Sequence, residues 1–148
     1  MKFFRYIIAK RAIQIAREEG QDSSSWTEAS RFATTANMLI PNSPEPLCLL
    51  GEINIGQGNI EQAEIYFKLA IEHAPTSLAA LDGLARISGL QGDQIGIEKW
   101  LGLALQYHPD LWNTHYNLGS FLKLNERYDE AESRFRKSIT LSKDTSPL

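Results

Sequence analysis

A 34-residue period runs through the chain and restricts its fold more than any other feature. The prolines at positions 41, 75 and 109 are separated by 34 residues in each interval. The same shift aligns small residues into columns, of which one contains Ala29, Ala63 and Ala131, with Ile97 as the exception, and another contains Ala36, Ala70 and Ala104. A period of this length indicates stacked supersecondary units, none of which can bury its apolar face alone.

Within each unit the apolar residues recur at helical spacing. The second unit places Leu47, Leu50, Gly51 and Asn54 on one helix face, and Ala63, Phe67, Ala70 and Ile71 on another. Two helical segments joined by a turn predict a helical hairpin in each unit. The predicted fold class is therefore all-α.

Turn and capping residues mark the ends of these helices. Gly58 and Gly92 follow the first helices of their units, where a left-handed residue is favoured, and Asn125 is the candidate in the last unit. The second helices are predicted to begin at capping boxes, which are Ser25 with Glu28 and Asn59 with Gln62.

Gly119 lies in the middle of a predicted helix, where glycine costs about 1 kcal/mol relative to alanine. Gly51 and Ala85 occupy the equivalent positions two periods and one period earlier, respectively. We expect these small residues to lie where the two helices of a hairpin cross, facing the small positions of Ala63 and Ala131. Gly119 is then an architectural residue and not a chemical one.

Two segments carry a family resemblance. "PLCLLGEINIGQGNIEQAEIYFKLAIEHAP" and "WNTHYNLGSFLKLNERYDEAESRFRKSI" resemble the tetratricopeptide repeat, with its two helices, small residue after leucine, alanine, aromatic and closing proline. The resemblance implies a right-handed α-solenoid of about four hairpins. The predicted repeats are 10–43, 44–77, 78–111 and 112–142, with a helical extension at 1–9 and a polar tail at 143–148.

Charge and cysteine content restrict the function. The net charge is −3, and no basic tract with interleaved aromatic residues occurs, so nucleic-acid binding is not expected. Cys48 is the only cysteine, which excludes an internal disulfide and is typical of a reducing, cytoplasmic compartment. The N-terminal segment "MKFFRYIIAKRAIQIA" contains too short an apolar run for a signal peptide or a membrane span.

No residue pattern predicts an enzyme, a cofactor or a metal site. The histidines His73, His108 and His115 and the single cysteine cannot make up a structural zinc set. The tripeptide His108-Pro109-Asp110 matches a co-chaperone motif, but its proline is in phase with the repeat. No nucleophile has a base at a recognisable spacing, and no glycine-rich phosphate loop follows a strand.

The resemblance implies a concave groove, lined by the first helices, that binds a peptide or helix of a partner protein. The positions that carry over to this groove are Glu45, Cys48, Glu52, Asp82, Arg86, Asn113, Tyr116, Asn117, Ser120 and Lys123. The family's acidic chaperone-tail ligand is not expected, because the clamp positions hold Gln14, Glu18, Leu49, Ala79 and Gly83 in one register, or Cys48, Glu52, Gly83, Asn113 and Asn117 in the next.

The apolar N-terminal segment leaves an alternative open. Phe3, Phe4, Tyr6, Ile7 and Ile8 point in nearly every direction on a helix, and this predicts either packing on the second helix or a homodimer. The alternative function is a self-associating assembly factor or secretion-type chaperone that oligomerises through its first helix. A regulatory domain of an enzyme would require a longer chain. The partner's identity does not follow from the sequence.

Overall fold

The computed structural model describes residues 2–19 and 25–144 of the 148-residue chain, with side chains for 4–18 and 25–144. Eight helices and no strands lie in this part, so the fold is an all-α helical-repeat fold, as predicted. The helices are α1 (Lys2–Glu19), α2 (Trp26–Leu39), α3 (Pro44–Gly56), α4 (Ile60–His73), α5 (Leu78–Gln91), α6 (Gln94–Tyr107), α7 (Trp112–Leu124) and α8 (Tyr128–Asp144).

The helices form two compact units, of which unit 1 is Met1–Ile87 and unit 2 is Ser88–Leu148. In unit 1, α1 packs against α2 and α3, α2 against α3, and α3 against α4. In unit 2, α7 packs against α6 and α8. The right-handed superhelix and the repeat boundaries stay predictions, because each unit is described by itself.

Two core clusters of unit 1 combine small residues of α1 and α2 with larger residues of α1 and α3. Ala9, Ala12, Ile13 and Ala36 form one buried cluster, and Ala16, Ala29, Ala33, Leu50 and Ile53 form another. Small side chains at these contacts allow helix axes to approach closely, since interaxial distance depends on the residues between them. The half-buried Trp26 closes the second cluster.

Aromatic rings of the second helices are the nearest neighbours of the central glycines, and the predicted alanine is among these neighbours only at Gly119. A Cβ atom at Gly51 would lie 2.6 Å from Phe67 Cζ, and one at Gly119 would lie 3.0 Å from the ring of Phe135. The backbone oxygen of Ala131 is the next neighbour of Gly119, at 3.3 Å. Each glycine therefore makes room for an aromatic ring. That ring belongs to the residue four positions after the aligned alanine, Phe67 after Ala63 and Phe135 after Ala131.

The residues that end the first helices follow the 34-residue period strictly. Gly58 and Gly92 have the predicted left-handed backbone, with φ of +79° and +72°. In the last unit the left-handed residue is Glu126, with φ of +61°, and not Asn125, whose φ is −96°. Asn125 instead donates its side-chain amide to the Phe121 carbonyl at 2.9 Å, which holds it at the end of α7.

The two predicted capping boxes are wrong in their hydrogen bonding, although the helices begin beside them. Ser25 has helical backbone angles in place of the extended ones of a capping residue, and Asn59 directs its amide at Gln57 Oε1, 3.4 Å away. Neither side chain caps its helix. Asp93, for which no capping role was predicted, accepts a hydrogen bond from the Gly96 amide at 3.0 Å.

The N-terminal extension and the first helix of the array form one continuous helix, α1. At the other end α8 continues to Asp144, two residues into the predicted polar tail, and residues 145–148 lie outside the described part. Across the helices that the structure describes, none combines the length and apolar character needed to cross a bilayer.

Candidate functional site

Charged side chains of α1, α3 and α5 meet on one exposed face of unit 1. Glu45 on α3 accepts hydrogen bonds from two residues of α1, Lys10 and Arg17, the latter at 2.7 Å. One helix further, Arg86 Nη1 donates to Glu52 Oε2 at 2.6 Å. We name this surface the α1–α3–α5 face, and define it by Lys10, Arg17, Glu45, Cys48, Glu52, Asp82 and Arg86.

The carboxylates of this face titrate differently because their surroundings differ. Partial burial alone would raise the pKa of Glu45, but the hydrogen bond and charge of Lys10, together with Arg17, outweigh it and hold the pKa below its usual value. At Asp82 burial prevails over the attraction of Arg86, so the pKa is raised. Glu45 is thus held firmly as an anion, whereas Asp82 gives up its charge more readily.

A depression of about 330 Å³ lies on the same face. Its floor and walls are formed by the side chains of Arg17, Pro44, Glu45, Cys48, Leu49, Glu52, Ser77 and Ala79. The depression combines an apolar floor with a charged rim, and ligand pockets commonly have such a mixed lining.

Cys48 is buried and lines this depression. Its Sγ lies 3.9 Å from Ser77 Oγ. Burial raises the pKa of the thiol to about 11, and the nearby Glu52 and Glu45 add to this effect. The thiol is therefore protonated at neutral pH, which makes it a packing group and a poor nucleophile.

The other five predicted groove residues lie on α7 in unit 2. Asn113, Tyr116, Asn117 and Lys123 are exposed, and Ser120 is half-buried. Tyr116 stacks at a tilt on Phe135 of α8, with ring centroids 5.6 Å apart, and Ser120 Oγ donates to the Tyr116 carbonyl at 3.0 Å. The ten predicted residues thus form two groups of five, one in each unit.

Lys10 and Arg17 belong to the α1–α3–α5 face, although neither was predicted there from the sequence. Arg17 aligns with Gly51 and Gly119 in the 34-residue period, and those two glycines face the partner helix of their hairpins. A long side chain can leave such a position by extending around its helix, and the guanidinium of Arg17 reaches Glu45 in this way. The sequence did contain a signal for this pairing, because α1 carries basic residues and the neighbouring first helix, α3, carries acidic ones.

His115 is buried in unit 2, where its Nε2 lies 2.9 Å from the Pro109 carbonyl oxygen. This contact fixes the end of the connection into α7 and assigns the histidine a structural role. In the parts of the chain with placed side chains, no three histidine, cysteine or carboxylate residues come together in a way that could hold a metal ion.

Two segments match the family model described as tetratricopeptide repeat, at residues 44–77 and 113–145. They correspond to the hairpins α3–α4 and α7–α8. No curated protein matches the chain in sequence.

Solved structures share the fold at low identity. One MamA structure has a TM-score of 0.78 at 15% identity, and it covers 92% of this chain and 79% of the other. MamA of Desulfovibrio magneticus RS-1, from residue 41 to its end, gives 0.72 at 20% identity, with coverages of 90% and 75%. PilF of Pseudomonas aeruginosa gives 0.84 at 18% identity over 94% of this chain, which spans 63% of PilF. The chain therefore carries tetratricopeptide repeats at residues 44–77 and 113–145, within an all-α helical-repeat fold.

Proposed function

We propose that the chain is a non-catalytic scaffold that binds an extended segment or helix of a partner protein on its first helices. The observation that carries the proposal is the depression of the α1–α3–α5 face, where an apolar floor is surrounded by charged side chains. The function requires neither a metal nor a cofactor. The single, free cysteine, Cys48, suits a reducing compartment, so we propose a cytoplasmic location.

The charges of this face indicate what kind of segment it accepts. Its three cations, Lys10, Arg17 and Arg86, are balanced by the three carboxylates Glu45, Glu52 and Asp82. A balanced rim gives no long-range attraction to strongly acidic or strongly basic segments. We therefore expect a partner segment of low net charge, anchored by apolar side chains near Leu49 and Ala79.

A peptide selection tests this proposal. Random linear peptides displayed on phage are selected on the immobilised chain, and the enriched peptides are measured by fluorescence anisotropy. Ala79→Trp should fill the depression without disturbing the core, because Ala79 is exposed at its edge. We expect affinity to fall about tenfold or more, since loss of an anchor pocket costs over 1 kcal/mol.

The matched control is Thr34→Trp, which places the same ring on an exposed position of α2 in the same unit. It should leave the affinity unchanged. Equal binding by the Ala79→Trp variant and the parent chain would locate the binding surface elsewhere and contradict the proposal.

Self-association through α1 is the second candidate, and one observation favours it. Phe4, Tyr6, Ile7 and Ile8 remain 71%, 52%, 48% and 53% exposed, respectively, although α1 packs on α2 and α3. The side chain of Phe3 lies outside the described part. Neighbouring apolar side chains of this exposure are typical of contact surfaces, and pairing across a two-fold axis covers such a surface.

Sedimentation equilibrium distinguishes the two functions. A homodimer should appear at ~100 μM even when its affinity is weak. The double variant Ile7→Lys and Ile8→Lys should then be monomeric, while its helical circular dichroism stays that of the parent. A parent chain that is monomeric at this concentration rules out the dimer and leaves these residues as an exposed helix face.

A further inference from the structure

The hairpin α7–α8 in unit 2 has an open face whose counterpart in unit 1 is covered by a helix. Its depression of about 470 Å³ is lined by Lys123, Tyr128, Ala131, Glu132, Phe135, Arg136 and Ile139. We name this surface the α7–α8 face. Phe135 is half-buried there, and Ile139 is 55% exposed.

The 34-residue period identifies the residues of the hairpin α3–α4 that correspond to those of the α7–α8 face. Phe67 precedes Phe135 by 68 residues, which is two periods, and Ile71 precedes Ile139 by the same number. Phe67 is 0% exposed, and Ile71 is half-buried. The same sequence columns are thus better covered in the hairpin α3–α4 than in α7–α8.

Helix α5 provides the cover over Phe67. The ring lies between Gly51 of its own hairpin and Gly83 of α5, and a Cβ atom at Gly83 would overlap the ring. A residue larger than glycine does not fit at that point without displacing the ring. The contact therefore selects its occupant by size: a helix that presents glycine at the centre of its packing face.

Among the described residues of unit 2, the Phe135 ring has a glycine on one side only, the side of its own hairpin. Gly119 occupies the place of Gly51, and a Cβ atom added to it would lie 3.0 Å from the Phe135 ring. Tyr116 touches the ring from one edge, and beyond it the α7–α8 face is open. This face has the shape that α5 fits, and no described helix of unit 2 lies in it.

We propose that the α7–α8 face docks an amphipathic helix of a partner protein, with a glycine seated on the outer side of Phe135. Flanking apolar residues of that helix contact Tyr128 and Ile139, as the leucines around Gly83 flank the glycine of α5. Lys123, Glu132 and Arg136 surround the apolar centre, so the edges of the partner helix are polar. The surface shares no residue with the α1–α3–α5 face.

The helix α1 of a second copy is a poor occupant. The exposed side of α1 presents Phe4, Tyr6, Ile7 and Ile8, which are all large. None of them can take the place that Gly83 takes against Phe67. We therefore take a helix of a different protein as the occupant. The self-association measurement below tests the remaining case, a second copy that presents an exposed helical glycine such as Gly89 or Gly102.

The probe is a peptide of residues 77–92, which contains α5, fluorescently labelled and cross-linked between its exposed positions 79 and 86. The cross-link is needed because isolated helices of this length are marginal in water. We expect saturable binding to the full chain. The matched control peptide carries Gly83→Leu, which favours the helix more than glycine does but collides with Phe135. Its affinity should be lower by about tenfold or more.

Two chain variants locate the binding. Ile139→Lys places a charge inside the α7–α8 face, and Ile95→Lys places one on α6 in the same unit, at a residue that is 82% exposed. Ile139→Lys should abolish peptide binding and Ile95→Lys should preserve it, with unchanged circular dichroism in both. Equal affinities of the two peptides, or binding that survives Ile139→Lys, would overturn the proposal. Self-association of the parent chain that Ile139→Lys abolishes would identify a second copy as the occupant and overturn it as well.

Discussion

Arg86 Nη1 donates a hydrogen bond to Glu52 Oε2 at 2.6 Å, and the two residues are 34 positions apart, one full repeat. The pair joins equivalent columns of successive first helices, α3 and α5. Both side chains are well exposed, at 47% and 42%. An ion pair of this exposure contributes little to folding, so its removal can test the proposed binding role of the α1–α3–α5 face with little effect on stability.

We therefore expect Arg86→Ala to lower the free energy of unfolding by less than about 1 kcal/mol, measured by urea denaturation. The same variant should weaken the peptides selected on the chain, because it removes a rim contact and leaves Glu52 with excess charge. Glu52→Gln in combination with Arg86→Ala should recover part of that loss. A large loss of stability together with unchanged peptide affinity would show that the pair serves the fold alone.

Gly51 and Gly119 should differ in their tolerance of alanine. Phe67 is enclosed between Gly51 and Gly83, so its ring cannot move away from a new methyl group. We expect Gly51→Ala to destabilise by about 1–3 kcal/mol, the usual cost of overpacking. Phe135 is half-buried and can shift, so Gly119→Ala should cost less than Gly51→Ala, whereas Gly119→Leu should cost as much or more.

Gly102 on α6 is the matched control for these substitutions. A Cβ atom there would meet nothing within 4 Å. Gly102→Ala should stabilise by about 0.5–1 kcal/mol through helix propensity alone. Thermal and urea denaturation give the order of the variants. If Gly51→Ala is as stable as the parent, the explanation based on the Phe67 ring is wrong.

Glu126 holds a left-handed backbone at a position where the preceding repeats use glycine. The conformation costs a residue with a Cβ atom about 1–2 kcal/mol, and glycine recovers this at the expense of greater unfolded-state entropy. Glu126→Gly should therefore stabilise the chain by about 0.5–1 kcal/mol.

The reverse substitution, Gly92→Ala, should destabilise by a similar amount, although a Cβ atom at this position would have no neighbour within 4 Å. This comparison separates backbone strain from packing. Urea denaturation of the two variants checks both signs. Loss of stability in Glu126→Gly would mean that the glutamate side chain contributes more than its backbone costs.

We expect the buried thiol of Cys48 to lower the free energy of unfolding at alkaline pH. Burial raises the pKa of its thiol in the folded state to about 11, from an ordinary value of 9.0. Its contribution is fully present below pH 9 and is lost as the pH rises toward 11, because the unfolded chain releases the proton first. We expect the stability difference between the parent and Cys48→Ala to shrink by on the order of 1–2 kcal/mol between pH 8 and pH 10.5.

Comparison with Cys48→Ala removes the contributions of lysine and tyrosine titration, which both chains share. A difference that is constant over this range would show that the thiol is accessible to water. Slow reaction of the native thiol with a disulfide reagent at pH 8, and rapid reaction in urea, provide the independent check.

The sequence predicted the hairpins because their apolar spacing and period are local properties of the chain. It also predicted Gly58 and Gly92, since glycine is the residue that a left-handed turn requires. Glu126 was missed because residue type alone favoured Asn125, whereas the backbone conformation followed the period. Tertiary packing of α7 and α8 overrides the local preference there.

The candidate site was less predictable than the fold. Helical columns identify Glu45, Glu52 and Arg86 as one face, but they do not give the pairing, which depends on how far each side chain extends. Arg17 shares its column with Gly51 and Gly119, and this column gave no sign that its guanidinium pairs with Glu45. Cys48 was placed on the groove face and lines the depression there, but the sequence did not show that it is buried beside Ser77.

The ring of Phe67, enclosed by Gly51 and Gly83, bears on how this chain can be shortened or recombined. A cut at Pro75, just before the predicted end of the repeat 44–77, separates the ring from one of the two glycines that enclose it. The smallest piece that keeps both contacts extends from α3 through the turn of α5 that holds Gly83. Chimeras joined after Ile87, where unit 1 ends, should keep this hairpin intact, whereas those joined at the proline must supply their own glycine.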